Sequence, residues 1–167
     1  EAGWSVPAGY ATLHAEVRAV RSRAGMIDLS DHAKVELKGS ERLPFLDGVV
    51  TADLKILARG MSTYALLLND KSRVLGDLRV YALEESLVLD IEASQKESVL
   101  RILEKARVSD DVDFHDLGPV GHIEVHGPQA STALGGVLGV EVRGLPRNGF
   151  LTIPIRRRES AHIARIP

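Results

Sequence analysis

Hydrophobic and polar residues alternate along residues 73–81. Successive side chains of a β-strand point to opposite faces of the sheet, so a period of two predicts a half-buried strand here. One face of this strand is apolar, and the other presents a carboxylate, a guanidinium and a phenol side by side. Such a face is either a solvated sheet surface or the wall of a polar pocket. The apolar set is Val74, Gly76, Leu78 and Val80, and the other set is Leu75, Asp77, Arg79 and Tyr81.

The stretches on either side extend this strand into an antiparallel meander. Residues 62–69 are apolar on both faces, which predicts a central strand, and a hairpin-type loop from Asn69 leads into the strand described above. A tight turn at residues 84–86 then leads to a third strand at residues 87–92. Strands in hairpin-like succession favour an α+β fold with mostly antiparallel sheets and packed helices over a doubly wound parallel fold.

Helical periodicity indicates a helix from Ala11 to a stop signal at Gly25, and a second helix after Ser94, which fits a capping box with Glu97. Ser40 is a candidate N-cap for a short helix. An irregular, packed lead-in is expected at residues 1–10. Further predicted elements are strands at residues 26–29, 33–38, 112–117, 122–125, 150–155 and 162–166, and a short helix at residues 129–138.

Composition narrows the classes of protein to consider. The chain has 167 residues, 44% of them hydrophobic, and a net charge of -2, which is ordinary for a globular protein of one large or two small domains. It contains no cysteine, which excludes disulfides and thiolate metal sites within this sequence. No basic block other than residues 156–158 stands out in the sequence, so nucleic-acid binding is not expected. No apolar run reaches about 18 residues, so no membrane-spanning helix is expected.

No motif for phosphate loops, dinucleotide binding or nucleophilic serine catalysis occurs. The histidines are scattered, and His122 with His126 is more simply a surface pair than a metal pair, so no metal site is predicted. The basic run at residues 156–158 is most simply a solvated strand end, with an anion site as the alternative.

Several short motifs occur together in one order. Their order and spacing resemble the glycine cleavage system T protein family, the aminomethyltransferases, over essentially all 167 residues. The resemblance is to the N-terminal half of that family. The motifs are AGWSVPAGY at residues 2–10, EVRAVR at residues 16–21, GMIDLS at residues 25–30, Lys38-Gly39, TAD at residues 51–53, Tyr64, DLRVY at residues 77–81 and GPQA at residues 127–130.

The resemblance implies an interleaved α+β folate-binding domain over residues 1–167. It also implies that the domain is incomplete at its C-terminal end, because a T-G-E segment and a later arginine that help hold folate in the family are absent from this sequence. The implied location is the cytoplasm, or the mitochondrial matrix in a eukaryote.

The function implied by the resemblance is tetrahydrofolate-dependent one-carbon transfer. In the glycine cleavage reaction, an aminomethyl group on the lipoyl arm of a carrier protein gives methylenetetrahydrofolate and ammonia. Related members are folate-dependent methyltransferases or demethylases. The implied partners are folate, a small one-carbon donor and a lipoyl-bearing carrier protein. A homodimer is a further expectation, because a half-built interleaved domain would expose apolar sheet.

The family's functional positions fall on particular residues of this chain. Asp77 matches the acid beside the reacting folate nitrogen, where a carboxylate can accept a proton or stabilise a developing cation. Tyr64 and Tyr81 match tyrosines that line the folate pocket, which suits a flat pterin ring.

More polar residues occupy other pocket positions of the family. Arg79 stands where the family usually has an aliphatic residue, and His32 and Glu36 stand where methionine and leucine are common. The asparagine typical of the family falls on Asp90 or Ile91, depending on the gap in the match. Arg79, His32 and Asp90 are therefore candidate folate-binding residues. An Asp77–Arg79 ion pair is the alternative, and it would hold the carboxylate ionised. A non-catalytic folate-binding module and a purely structural domain stay open as alternatives to an enzyme.

Overall fold

The computed structural model describes residues 9–156 and 159–166, which form two compact units. Unit 1 contains residues 9–31 and Gly121–Leu145, and unit 2 contains His32–Val120 with the described residues after position 145. The segments of the two units alternate along the chain, in agreement with the predicted interleaved α+β architecture. Most of the predicted lead-in and two residues of the basic run, Arg157 and Arg158, lie outside the described residues.

Helices and strands follow the predicted order closely. They are α1 (Leu13–Ser22), β1 (Gly25–Asp28), β2 (Ala33–Lys38), α2 (Arg42–Asp47), β3 (Ser62–Leu68), β4 (Val74–Ala82), β5 (Leu87–Ile91), a 3-10 turn (Ala93–Gln95), α3 (Lys96–Ala106), β6 (Asp113–Asp116), β7 (Ile123–His126), α4 (Ala130–Leu138), β8 (Phe150–Arg156) and β9 (Glu159–Ala164).

Unit 2 is built on a five-stranded antiparallel sheet in the order β3-β4-β5-β2-β6. The predicted meander of β3, β4 and β5 is confirmed, but the prediction that β3 is central is wrong. β3 is an edge strand, and in the described residues no strand pairs with its outer side in the sheet. That side is covered by an isolated bridge from Leu67 to Val50, two hydrogen bonds between Leu66 and Thr51, and the contact of Ser62 with Asn148. Apolar residues occur on both of its faces although one face is partly exposed, with Leu68 37% accessible.

The hydrophobic core lies on one face of this sheet. Inward side chains of the strands pack there against Phe45 and Leu46 of α2 and against Val99 and Leu103 of α3. Burying one leucine of this size contributes about 1.5–3 kcal/mol. The opposite face of the sheet is therefore the one that carries the polar side chains of β4.

Both predicted helix caps are wrong. The Ser40 hydroxyl bonds to the Asp111 carboxylate at 2.6 Å, and α2 begins only after Glu41. The Ser94 hydroxyl bonds to Glu92 at 2.6 Å within the 3-10 turn, so α3 begins at Lys96 without a side-chain cap. In both places the hydroxyl donates to a carboxylate, and the helix begins at a later residue than the predicted cap requires.

The hairpin of β8 and β9 extends unit 2. Its first strand follows Asn148, whose carbonyl accepts a hydrogen bond from the Ser62 backbone N–H at 2.7 Å. The Phe150 N–H donates to the Gly60 carbonyl at 2.8 Å. These bonds hold the start of β8 against the beginning of β3. Strand β9 begins at Glu159, three residues before the predicted start.

Unit 1 contains the antiparallel pair of β1 and β7 together with α1 and α4. The predicted amphipathic helix forms as α1, and the Thr12 hydroxyl caps it by accepting from the Ala15 N–H at 3.4 Å. Neither helix buries a side chain fully. Gly127 has φ +113°, and a Cβ there would lie 2.5 Å from the Val20 carbonyl oxygen, so only glycine fits. In the part of the chain that the structure describes, no helix is long and apolar enough to cross a membrane.

Candidate functional site

The polar face of β4 forms as the alternation predicts. Leu78 and Val80 are buried in the core. The residues that alternate with them, Asp77, Arg79 and Tyr81, are half-buried on the other face. The antiparallel register places Tyr64 of β3 directly opposite Arg79. Because cross-strand neighbours share a face, the Tyr64 side chain lies on the same polar surface.

Three hydrogen bonds hold Asp77. The Tyr64 hydroxyl donates to Asp77 Oδ2 at 2.8 Å, and the Gln95 side-chain amide donates to Asp77 Oδ1 at 3.0 Å. Gln95 Oε1 in turn accepts from the Asp77 backbone N–H at 3.0 Å. The pairing of β4 with β5 begins at Leu78, so this N–H lies just beyond the ladder and would otherwise have no strand partner. The carboxylate is therefore oriented by two donors that come from different elements.

Gln95 reaches Asp77 because glycine precedes the acid. A Cβ on Gly76 would lie 2.9 Å from Val99 Cγ2 and 3.2 Å from Gln95 Oε1, so the bare backbone lets the start of α3 approach β4. Gln95 was not predicted as a site residue from the sequence, in which it lies inside the predicted capping box of Ser94 and Glu97. An amide directly before an amphipathic helix was the available signal, but the contact joins residues 18 positions apart.

Tyr64 is a stable hydrogen-bond donor. Its hydrogen bond to the Asp77 carboxylate, followed by partial burial, raises the pKa of the Tyr64 phenol above its ordinary value. The Arg79 guanidinium acts in the opposite direction on the same pKa, with a smaller effect. The phenol stays protonated at neutral pH, and 53% of the residue is exposed on the polar face.

Arg79 binds neutral acceptors rather than the neighbouring acid. Its Nη1 atom donates to the Ser62 hydroxyl at 3.4 Å and to the side-chain oxygen of Asn148 at 3.5 Å. Asp77 is bound by Tyr64 and Gln95, so the acid and the cation of β4 have separate partners. Asn148 is a second residue that sequence reasoning missed, since it approaches from a segment 69 positions away.

Tyr81 lies at the other end of the polar face. Its ring packs edge-on against Phe150 of β8, with ring centroids 5.7 Å apart, and Phe150 packs in the same way against His162 of β9 at 5.9 Å. Burial lowers the pKa of the His162 imidazole, which is hydrogen-bonded to the Thr152 hydroxyl at 2.8 Å.

His32 and Asp90 come together in a buried network. Asp90 Oδ1 accepts from Lys34 Nζ and bonds to His32 Nδ1, both at 2.9 Å. Asp90 is 9% exposed and lies opposite Arg79 in the register of β4 with β5. The predicted folate-binding residues therefore lie along adjacent strands, but the buried pair of Lys34 and Asp90 was not foreseen, because alternation alone assigned no partner to Lys34.

Two shallow cavities occur elsewhere in the described residues. One of about 450 Å³ lies between α4 and the segment that follows it. The other, of about 510 Å³, lies beside Phe150 and His162 and is bordered by Arg59 and Glu84, which form an ion pair. Asp77 lines neither of them.

Comparisons with known proteins place these residues in a family. The sequence model of the protein family described as the GCVT N-terminal domain matches residues 1–166. An aminomethyltransferase of Prochlorococcus marinus (strain NATL2A) is 31% identical over 176 residues, covering 98% of this chain and 47% of the relative. An aminomethyltransferase of Bacillus pumilus (strain SAFR-032) is 30% identical, covering 90% of this chain and 42% of that protein.

A solved structure gives the same result for the fold. The crystal structure of the glycine cleavage system aminomethyltransferase T from Bartonella henselae superposes with a TM-score of 0.74 at 26% sequence identity. The match covers 81% of this chain and 37% of that one. The chain spans about half the length of the curated relatives it matches. On the family match over nearly its whole length, the chain belongs to the GCVT N-terminal domain family.

Proposed function

We propose that this chain takes part in tetrahydrofolate-dependent one-carbon transfer of the aminomethyltransferase type, with Asp77 as the acid–base group. The observation that carries the proposal is the orientation of the Asp77 carboxylate by the Tyr64 hydroxyl at 2.8 Å and the Gln95 amide at 3.0 Å. Family membership and the aminomethyltransferase relatives support the class of reaction.

The residues on the polar face suit a flat ligand that carries N–H groups. Tyr64 offers an exposed aromatic ring, and Asp77 offers a carboxylate held at a defined position beside it. Each carboxylate oxygen can accept about two hydrogen bonds, so Tyr64 and Gln95 leave acceptor capacity for a ligand. These properties fit tetrahydrofolate, which when bound supplies the nitrogen that takes up the one-carbon unit.

In the proposed mechanism, Asp77 accepts a hydrogen bond from the ligand N–H and takes its proton, or stabilises positive charge that develops nearby. Gln95 and Tyr64 act as positioning residues, because each fixes one oxygen of the carboxylate. Tyr81, Arg79, His32 and Asp90 are proposed ligand contacts as well. The proposal includes a small one-carbon donor and a carrier protein with a lipoyl arm as partners.

The substitution Asp77→Asn tests this role in the full-length protein. We expect turnover with tetrahydrofolate to fall about 10²–10⁴-fold, the usual contribution of a general acid–base group. Calorimetric titration should give a dissociation constant for tetrahydrofolate close to that of the wild type, because asparagine keeps the shape of the side chain. Asp70→Asn is the matched control, since Asp70 is an exposed acid in the β3–β4 hairpin.

Each alternative function has its own outcome in this experiment. Unchanged turnover in the Asp77→Asn variant would remove the acid–base role. Tetrahydrofolate binding without turnover in the wild type would support the non-catalytic binding module. No heat on titration at millimolar tetrahydrofolate would contradict folate binding, and with it both the enzyme and the folate-binding module.

A further inference from the structure

We infer that Arg79 is a carboxylate-binding residue, which pairs with a carboxylate of the ligand that lies against the polar face of β4. The inference rests on the proposed function only for the identity of that ligand. Its physical basis is that the Arg79 guanidinium has only two hydrogen-bond partners in the described residues, and that both are neutral and bound at long distances.

The guanidinium has far more hydrogen-bonding capacity than its partners use. Arginine carries five N–H donors in a planar fork. In the described residues, its hydrogen bonds are the two from Nη1 to Ser62 and Asn148, at 3.4 and 3.5 Å. Both distances exceed the ordinary range for N–H···O bonds. The Nε and Nη2 groups are therefore available for a ligand.

Neither neighbouring acid pairs with Arg79. Asp77, two residues away, is held by Tyr64 and Gln95, and Asp90, directly opposite on β5, binds Lys34 and His32 through Oδ1. A half-buried cation that lacks an anionic partner loses hydration without an equivalent gain in attraction. A ligand carboxylate would supply that partner.

The position of Arg79 defines where the carboxylate lies relative to the chemistry. Asp77 and Arg79 are two residues apart on one strand face, so their Cα atoms are about 7 Å apart. Both side chains project from the same face of the strand, so one ligand can contact both of them. A ligand can therefore place a nitrogen at Asp77 and a carboxylate at Arg79 simultaneously.

A carboxylate suits this guanidinium for geometric reasons. The planar fork matches two carboxylate oxygens through parallel N–H···O bonds, which are shorter and stronger than neutral hydrogen bonds. Two sources of the group are consistent with the site. One is the glutamate end of tetrahydrofolate, and the other is the carboxylate of a small amine that donates the one-carbon unit.

Calorimetric titration of the full-length protein with two probes separates these sources. The probes are tetrahydrofolate and N-methylglycine, the smallest amine with both a one-carbon group and a carboxylate. In the Arg79→Met variant, we expect the dissociation constant of the relevant probe to rise about 10- to 100-fold, as for loss of a charge-assisted pair. The affected probe identifies the source of the carboxylate.

Arg73→Met is the matched control, because Arg73 is an exposed arginine at the base of the same hairpin. Its removal changes the net charge equally and should leave both dissociation constants unchanged. Arg79→Lys keeps the charge but loses the fork, so it should retain only part of the affinity. Unchanged binding of both probes in the Arg79→Met variant would overturn the inference and assign Arg79 a structural role beside Asn148.

A second measurement needs no variant and therefore does not depend on folding of Arg79→Met. Methyl esters of the two probes lack the carboxylate charge, so the ester of the relevant probe should bind the wild type about 10- to 100-fold more weakly. Equal binding of acids and esters, or no binding of either acid, would also overturn the inference. If N-methylglycine binds through Arg79 while tetrahydrofolate gives no heat, the proposed function fails and the carboxylate site stands.

Discussion

At the scale of single residues, the site is a carboxylate whose two oxygens are assigned to different donors. Tyr64 binds Oδ2 and Gln95 binds Oδ1, so neither oxygen depends on Arg79. Because of this separation, the cation of β4 does not neutralise the acid, and it is available for the ligand carboxylate proposed above. An Asp77–Arg79 ion pair, the alternative expected from alternation along one strand, does not form because closer donors reach Asp77 from β3 and from the 3-10 turn.

The ionisation of Tyr64 provides a direct probe of this arrangement. Its hydrogen bond to Asp77 raises the pKa of the phenol, so Asp77→Asn should lower that pKa towards the ordinary value of about 10. Ultraviolet titration of phenolate formation measures the change, in a background where Tyr10 and Tyr81 are phenylalanine. A pKa that is insensitive to Asp77→Asn would contradict the hydrogen bond.

The raised pKa of Tyr64 also makes the free energy of unfolding depend on pH. Because the pKa of the Tyr64 phenol is higher in the folded state than in the unfolded state, its contribution is fully present below the unfolded value of about 10. The contribution is lost as pH rises through the higher folded-state pKa. The loss should be absent in Tyr64→Phe, which has no ionisable phenol.

At the scale of elements, the site depends on how closely α3 approaches β4. Gly76 permits that approach, and Val99 anchors the helix in the core beneath the strand. The approach delivers Gln95 to Asp77, so packing on the buried face determines hydrogen bonding on the polar face. The hairpin of β8 and β9 has a parallel role, since its lead-in brings Asn148 to Arg79 and Phe150 to Tyr81.

Gly76→Ala tests this dependence. The added methyl would lie 2.9 Å from Val99 Cγ2, so we expect a loss of about 1–3 kcal/mol in the free energy of unfolding, as for other overpacked positions. Urea denaturation measures that loss. Gly48→Ala is the control, because a Cβ there would lie 3.4 Å from the Phe45 carbonyl oxygen and 3.6 Å from that of Pro44, which leaves more room than Gly76 has. Equal stability of the Gly76→Ala variant and the wild type would show that α3 can withdraw freely.

At the scale of the whole molecule, the two units differ in how much apolar surface they bury. The contiguous core, from Val35 to Val112, lies entirely in unit 2. In unit 1, α1 and α4 bury no side chain fully, and Leu13 of α1 is 74% exposed. Burial of apolar area is the main favourable term in folding, so most of the stability resides in the sheet that carries the site.

Hydrogen exchange should reflect this difference. We expect amides of β2, β4 and β5 to exchange far more slowly than those of α1 and α4, because local opening is easier where few apolar contacts are lost. Mass spectrometry of exchanged peptides measures both sets in one experiment. Comparable protection of α1 and β5 would contradict the expectation. The homodimer stays a prediction, and protection of α1 that increases with protein concentration would support it.

The sequence by itself determined the periodic features and the family. Alternation along residues 73–81 was sufficient to assign Asp77, Arg79 and Tyr81 to one face, because side-chain direction in a strand follows from local backbone geometry. The order of the motifs placed the chain in its family, because each motif is a short local stretch that can be recognised without knowing the fold. The meander also followed from local turns, at Asn69 and at residues 84–86.

Only the tertiary structure decided which donors hold the acid, which strand lies at the edge of the sheet and which hydroxyls cap helices. Gln95 and Asn148 reach β4 from distant segments, and no local period records such contacts. The edge position of β3 depends on which strands pair, and Ser40 bonds to Asp111 from 71 positions away. These features come from packing of elements that are remote in sequence, so they appear only once the chain has folded.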